Sequence, residues 1–100
     1  MATLYITEYG NLKTDAKGAP LPMGVEPAIA TQVRTLSGSS AQSAAFNGAT
    51  TYVRLHTDAI CSISFGANPT ATSSTPRMAA DQTEYFAVVA GQKVAAITNT

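Results

Sequence analysis

His56, Asp58 and Ser62 stand close together in the chain. These are the residue types a nucleophilic hydrolase assembles: an imidazole base within reach of a hydroxyl, oriented by a carboxylate. The surrounding sequence does not complete that apparatus. It has no Gly-x-Ser-x-Gly elbow, and neighbouring strands produce the same spacing without an active site. His56 is therefore read as an outer-face residue near a subunit contact, and Asp58 as a turn former. Asp81 and Glu84 form a second candidate pair, but glycoside hydrolysis needs carboxyls held across a substrate cleft. These two flank Gln82-Thr83 at a strand entry, where solvation or capping accounts for them. His56 and Asp58 lack the third and fourth ligands a metal would need. Tyr5, Tyr9, Tyr52 and Tyr85 are able to stack on bases or sugars. Without basic companions they fit a protein interface better, where tyrosine is enriched for its amphipathic ring. No catalytic, cofactor-binding or metal-binding residue is assigned.

Composition narrows the classes further. A chain of 100 residues supports one modest core, and 45% hydrophobic residues with only 12% charged is a folding composition, not a disordered one. Six basic residues balance six acidic ones, and the basic residues are scattered. A basic stripe able to neutralise phosphates is missing, so neither nucleic acid nor an anionic membrane is an expected partner. Net charge near zero removes self-repulsion, which favours a homo-oligomer. Cys61 is the only cysteine, which excludes an internal disulfide, and its apolar neighbours mark it as a small buried hydrophobe. With no leader-like N-terminus and no apolar run approaching the ~18 residues of a membrane span, a soluble product made in the cytoplasm is expected.

The elements follow from hydrophobic periodicity. Ala2 to Tyr9 alternates Leu4 and Ile6 with Thr3, Tyr5 and Thr7, a strand signature. Residues 10–27 hold Gly10, Gly18, Gly24, Pro20, Pro22 and Pro27. Breakers at this density exclude a helix or a central strand and predict an extended arm that makes no regular ladder alone, with a turn at Asp15-Ala16-Lys17-Gly18. Residues 28–36 read as a strand better than a helix, with Ile29, Thr31, Val33 and Thr35 on one face; residues 41–46 read as a short strand, and Asn47-Gly48 as a tight turn. In 52–57 and 60–65 the alternation places Val53, Leu55, Cys61, Ile63 and Phe65 on apolar faces. A three-residue connection would pair Leu55 with Ile63 as a hairpin; a strand bent at Asp58 and crossing between two sheets is the alternative, because Asp58-Ala59-Ile60 offers no glycine. A second hairpin is expected around Val89-Ala90-Gly91, pairing Phe86 with Val94. The predicted core is Val53, Leu55, Cys61, Ile63, Phe65, Phe86, Val88 and Val94. Between the hairpins, residues 66–82 form a loop longer than the ~12 to 15 residues usual for structureless connections, which points to function or docking.

Residue order adds to periodicity. Gly24-Val25-Glu26-Pro27-Ala28, the run from Val53 to Ile63, Phe65-Gly66-Ala67-Asn68-Pro69-Thr70-Ala71-Thr72, and Glu84-Tyr85-Phe86-Ala87-Val88 with Gly91-Gln92-Lys93-Val94-Ala95 resemble the small virion structural proteins of tailed bacteriophages, of the capsid decoration or cement type. The resemblance spans nearly the whole chain. It implies an all-β unit, a small β-sandwich or jelly-roll-like barrel with an extended N-terminal arm and long loops, in one domain: 1–27 a strand plus arm, 28–100 the β core. It also implies a non-enzymatic protein on the capsid surface that binds the major capsid protein. The resemblance does not fix the oligomeric state; the expected homo-oligomer is a dimer or trimer. A neck, tail or fibre-base component is the nearest rival, and a carbohydrate-binding module the rival of another class. The arm and the long loop are the expected contact elements, represented by Leu12, Pro20, Pro22 and Met23 and by Asn68, Pro69, Thr70 and Arg77.

Overall fold

The computed structural model describes residues 2–99. Its strands in chain order are β1 Thr3–Tyr9, β2 Leu12–Thr14, β3 Pro20–Gly24, β4 Ala30–Thr35, β5 Ala41–Gln42, β6 Tyr52–Thr57, β7 Cys61–Gly66, β8 Arg77–Met78, β9 Thr83–Ala87 and β10 Lys93–Thr98. The described residues contain no helix. Two four-stranded antiparallel sheets, β4-β1-β6-β9 and β5-β10-β7-β8, form an all-β sandwich, and β2-β3 make a separate ribbon. Period-2 alternation explains the layering. Each long strand turns one row of side chains inward, and two such faces closed on each other remove both rows from water.

The core is Leu4, Ile6, Leu36, Phe46, Val53, Leu55, Cys61, Ile63, Met78, Val94 and Ala96, with Phe65, Phe86 and Val88 half-buried against it. Five of the eight predicted core residues are thus fully enclosed. The other three sit at its margin, where Phe65 tilts against Phe86 at 5.2 Å and against Phe46 at 6.5 Å between ring centroids. Leu4 and Ile6 join the core because β1 is central in its sheet, flanked by β4 and β6.

Neither hairpin forms, and at the first corner the chain takes the alternative, crossing between the two sheets at Asp58. β6 and β7 lie in opposite sheets, as do β9 and β10, so Leu55 does not pair with Ile63, nor Phe86 with Val94. At the first corner the Asp58 Oδ1 accepts the Thr3 N–H at 2.6 Å, and Thr57 and Ala59 bond locally, so the chain leaves β6 and crosses over. At the second, Gly91 takes the expected positive φ of 82° while its N–H donates to Phe46 O. The predicted faces survive because inward residues meet the same core whether their strands lie side by side or face to face.

Three further segments depart from expectation. The arm folds on itself: β2 and β3 pair, with Leu12 opposite Gly24 and Thr14 opposite Pro20 and an irregularity between. The turn is held by the Asp15 carboxylate, which accepts the Lys17 and Ala19 N–H groups, with Gly18 at φ 84°. Proline is tolerated because the ribbon has only one paired edge. Residues 41–46 form a regular strand only at β5, yet run on beside β10 through Ser43 N–H to Val94 O. Side chains from β4 reach across to this segment, Gln32 to Ala44 and Arg34 to the Gln42 carbonyl, and so tie the two sheets together along one side. The apolar row of β4 is its outer one, and Val33 is 59% exposed.

The long 66–82 segment supplies β8 and otherwise lies along its own sheet. Gln42 donates to Asn68 Oδ1 and Pro69 O, Ala71 N–H donates to Ser40 Oγ, and Asn99 Nδ2 donates to Ser62 Oγ and Ser73 O. Ser62 and Ala95, on the outward row of the second sheet, are fully buried, as are Pro69 and Ala71 above them. Docking on the protein's own surface accounts for the loop's length.

Candidate functional site

Residues that suggested catalysis are dispersed. His56 Nδ1 shares a hydrogen bond of 2.8 Å with Thr83 Oγ1 on the outer face of the first sheet, its ring 6.2 Å from Tyr5. Asp58 caps the start of β1. Ser62 is buried in the other sheet and accepts from Asn99. Asp81 occupies a turn at φ 58°, and Glu84 lies on β9 opposite Leu55. Among the described residues, no cluster of three or more His, Cys, Asp or Glu is placed to hold a metal ion.

Three tyrosines are brought together instead. Tyr9 on β1 is the ladder partner of Tyr52 on β6, and Tyr85 sits diagonally across on β9, all on the outward row. Tyr9 and Tyr52 stack at 5.3 Å and 19°; Tyr52 and Tyr85 tilt at 6.5 Å. The β2-β3 ribbon closes over this row. Its contact point is Gly24, where a Cβ would lie 2.5 Å from the Tyr52 hydroxyl and 2.6 Å from Tyr9 Cδ1. Only a residue without a side chain admits the ribbon this close. The Tyr9 hydroxyl donates to Glu26 Oε2 at 2.6 Å, just beyond β3. This bond, then burial and the Glu26 charge, push the Tyr9 phenol up to about 12. Burial, with help from Tyr85 and Glu26, also raises that of Tyr52. The Tyr52 hydroxyl is buried and has no hydrogen-bond partner among the described residues.

Ribbon and ring row enclose an open groove of about 600 Å³, lined by Tyr9, Leu12, Pro22, Met23, Gly24, Glu26, Tyr52 and Tyr85. Its rim is apolar and accessible: Met23 is 55% and Tyr85 62% exposed. Of the residues expected to contact a partner, Leu12, Pro22 and Met23 therefore share one wall, with Pro20 exposed nearer the ribbon's tip. Asn68, Pro69, Thr70 and Arg77 lie with the second sheet, on the opposite side of the sandwich. There Pro69 is buried, and Asn68, although exposed, bonds to Gln42, while Thr70 and Arg77 are also exposed.

Two contributors escaped the sequence reading. Glu8 is 1% exposed yet occupies an inward position of β1. Its Oε1 accepts from Asn47 N and Thr50 Oγ1, both at 2.8 Å, and its Oε2 from Gln32 Nε2 at 2.9 Å, so it anchors the 47–50 turn from inside. Its place in the Leu4-Ile6-Glu8 row was the available signal. Glu26 reaches Tyr9 only because the ribbon folds back, which no local pattern announces. No family model, curated protein or solved structure matches the chain.

Proposed function

We propose that the chain is a non-enzymatic virion structural protein of a tailed bacteriophage, which decorates or cements the capsid by binding the major capsid protein as a dimer or trimer. The observation that carries this reading, beside the sequence resemblance, is the ribbon. It presents Leu12 and Met23 along one groove with Tyr85, all more than 40% exposed, and Val25, also exposed, beside the adjoining depression, on a chain of zero net charge. Clustered exposed apolar side chains of this kind mark contact surfaces. A short ribbon fixed at its base by Gly24 and Glu26 offers them to a neighbour with little ordering left to do on binding. The sandwich serves as the rigid base.

Purified protein added to heads that lack it tests the proposal. The ribbon leaves and rejoins the sandwich at one place, with Leu12 paired to Gly24 and the Val25 N–H bonded to Asn11 O, so excising residues 11–23 removes the ribbon without any strand of the sandwich and should leave the sandwich folded. Full-length protein is expected to coat the heads and raise their resistance to heat, and the excised form to do neither. Equal occupancy would move the contact to the Thr70 and Arg77 side, and no occupancy by either would overturn head decoration in favour of a neck or tail position. A second reading, glycan binding, is favoured by one observation, the exposed ring of Tyr85 beside a carboxylate. Saturable binding of oligosaccharides that is lost in Tyr85→Ala would establish it.

A further inference from the structure

The groove under the ribbon carries one acidic charge at its exposed edge. Among the described residues, Glu26 is the only charged side chain lining it, and it is open to solvent. Its Oε2 is engaged by Tyr9, whereas its Oε1 accepts no hydrogen bond among the described residues. Of the chain's own cations, Lys13 lines an adjoining depression, and Arg54, the ladder partner of Tyr85, lines another and does not line this groove, although its charge reaches Tyr9. Aromatic faces attract cations through their quadrupole, most strongly where water is excluded. A carboxylate beside them adds a charge-assisted acceptor. Leu12 and Met23 supply an apolar wall of the kind that packs along the methylene stem of lysine or arginine. An acidic side chain would meet Glu26 unfavourably, and a purely apolar one would cover the carboxylate without offering it a charged donor.

We propose that this groove seats a basic side chain, lysine or arginine, presented by the protein partner on which the ribbon docks. The assignment deepens the docking reading and rests on it for the identity of the partner. The test therefore separates the two.

Full-length protein is titrated with n-butylammonium and n-propylguanidinium, the side-chain analogues, and with n-butanol and butyrate as controls, while the Met23 methyl and tyrosine ring resonances are followed by NMR. Both cations are expected to give saturable shifts confined to these resonances, and the controls none. Glu26→Gln, which can still accept the Tyr9 hydroxyl, and Tyr85→Leu, at an exposed position, should each weaken the cations roughly three- to fivefold. Equal shifts with butanol, or full affinity in both variants, would overturn the seat. Shifts produced by raising the protein concentration alone would give the seat to a second copy and overturn the partner assignment. Glu26→Gln protein that coats heads as well as the parent would overturn the seat while leaving docking intact. Cation binding by a protein that ignores heads would support the seat and overturn docking.

Discussion

Replacing Glu8 by alanine is expected to be among the most damaging single changes in this protein. The carboxylate is 1% exposed and accepts three hydrogen bonds, two on Oε1 and one on Oε2. Gln32 is half-buried and retains its bonds to Ala44, so its loss is small. The Thr50 hydroxyl fares worse, since Thr50 is only 2% exposed, whereas Asn47 is exposed and water can replace part of its bond. The orphaned buried hydroxyl costs about 1–3 kcal/mol, the Asn47 N–H adds a smaller loss, and the lost methylenes leave a cavity besides. Relief of carboxylate desolvation offsets part of this. The net expectation is about 3–5 kcal/mol, a large fraction of the 5–15 kcal/mol typical of a domain. Urea unfolding should show the midpoint falling with its slope unchanged, and a melt should fall by more than about 10 °C. Glu8→Gln provides the contrast. Its amide oxygen can take the Oε1 position and keep both the Asn47 and the Thr50 donors, so the cost should drop to about 1–2 kcal/mol. Glu8→Ala unfolding within about 0.5 kcal/mol of the parent, or Gln as harmful as Ala, would refute the anchoring role.

Other expectations concern the tyrosine groove and the core. The Tyr9 phenol is raised in the folded state, so its bond to Glu26 contributes stability fully below the unfolded value of about 10, and that contribution is lost as pH rises through about 12. Ultraviolet titration should show Tyr9 and Tyr52 ionising later than the other tyrosines, and Glu26→Gln should bring Tyr9 earlier; an unchanged titration would dissolve the pairing. Gly24→Ala should lift the ribbon from Tyr9 and Tyr52 while the sandwich keeps its melting temperature within a few degrees, read as new amide exchange confined to residues 9–26. Cys61 is fully buried and burial pushes its thiol up, so thiol reagents should label it only at the rate of unfolding. Fast labelling of native protein would contradict its position.

Local pattern determined a good deal. The alternation in 3–9, 52–57, 61–66 and 93–98 establishes strands and sorts their residues into inward and outward rows, because the pleat itself has period 2. Val53, Leu55, Cys61 and Ile63 could thus be placed in the core from their alternation, and Val94 is in the core as expected although the pairing with Phe86 that placed it there does not form. Gly18 and Gly91 were likewise legible, since positive φ is nearly a glycine property. Strand partnership was not. A hairpin between consecutive strands is the local default, yet β6 to β7 and β9 to β10 cross the sandwich. Which sheet a strand joins depends on closing both apolar faces at once, and inward residues look alike in either arrangement. The same holds at the candidate site. Tyr9, Tyr52 and Tyr85 share a parity that the sequence contains, but the ribbon's return over them, the reach of Glu26 to Tyr9, and the carboxylate of Glu8 within the core depend on contacts between distant segments. Only the folded chain brings those segments within hydrogen-bonding range.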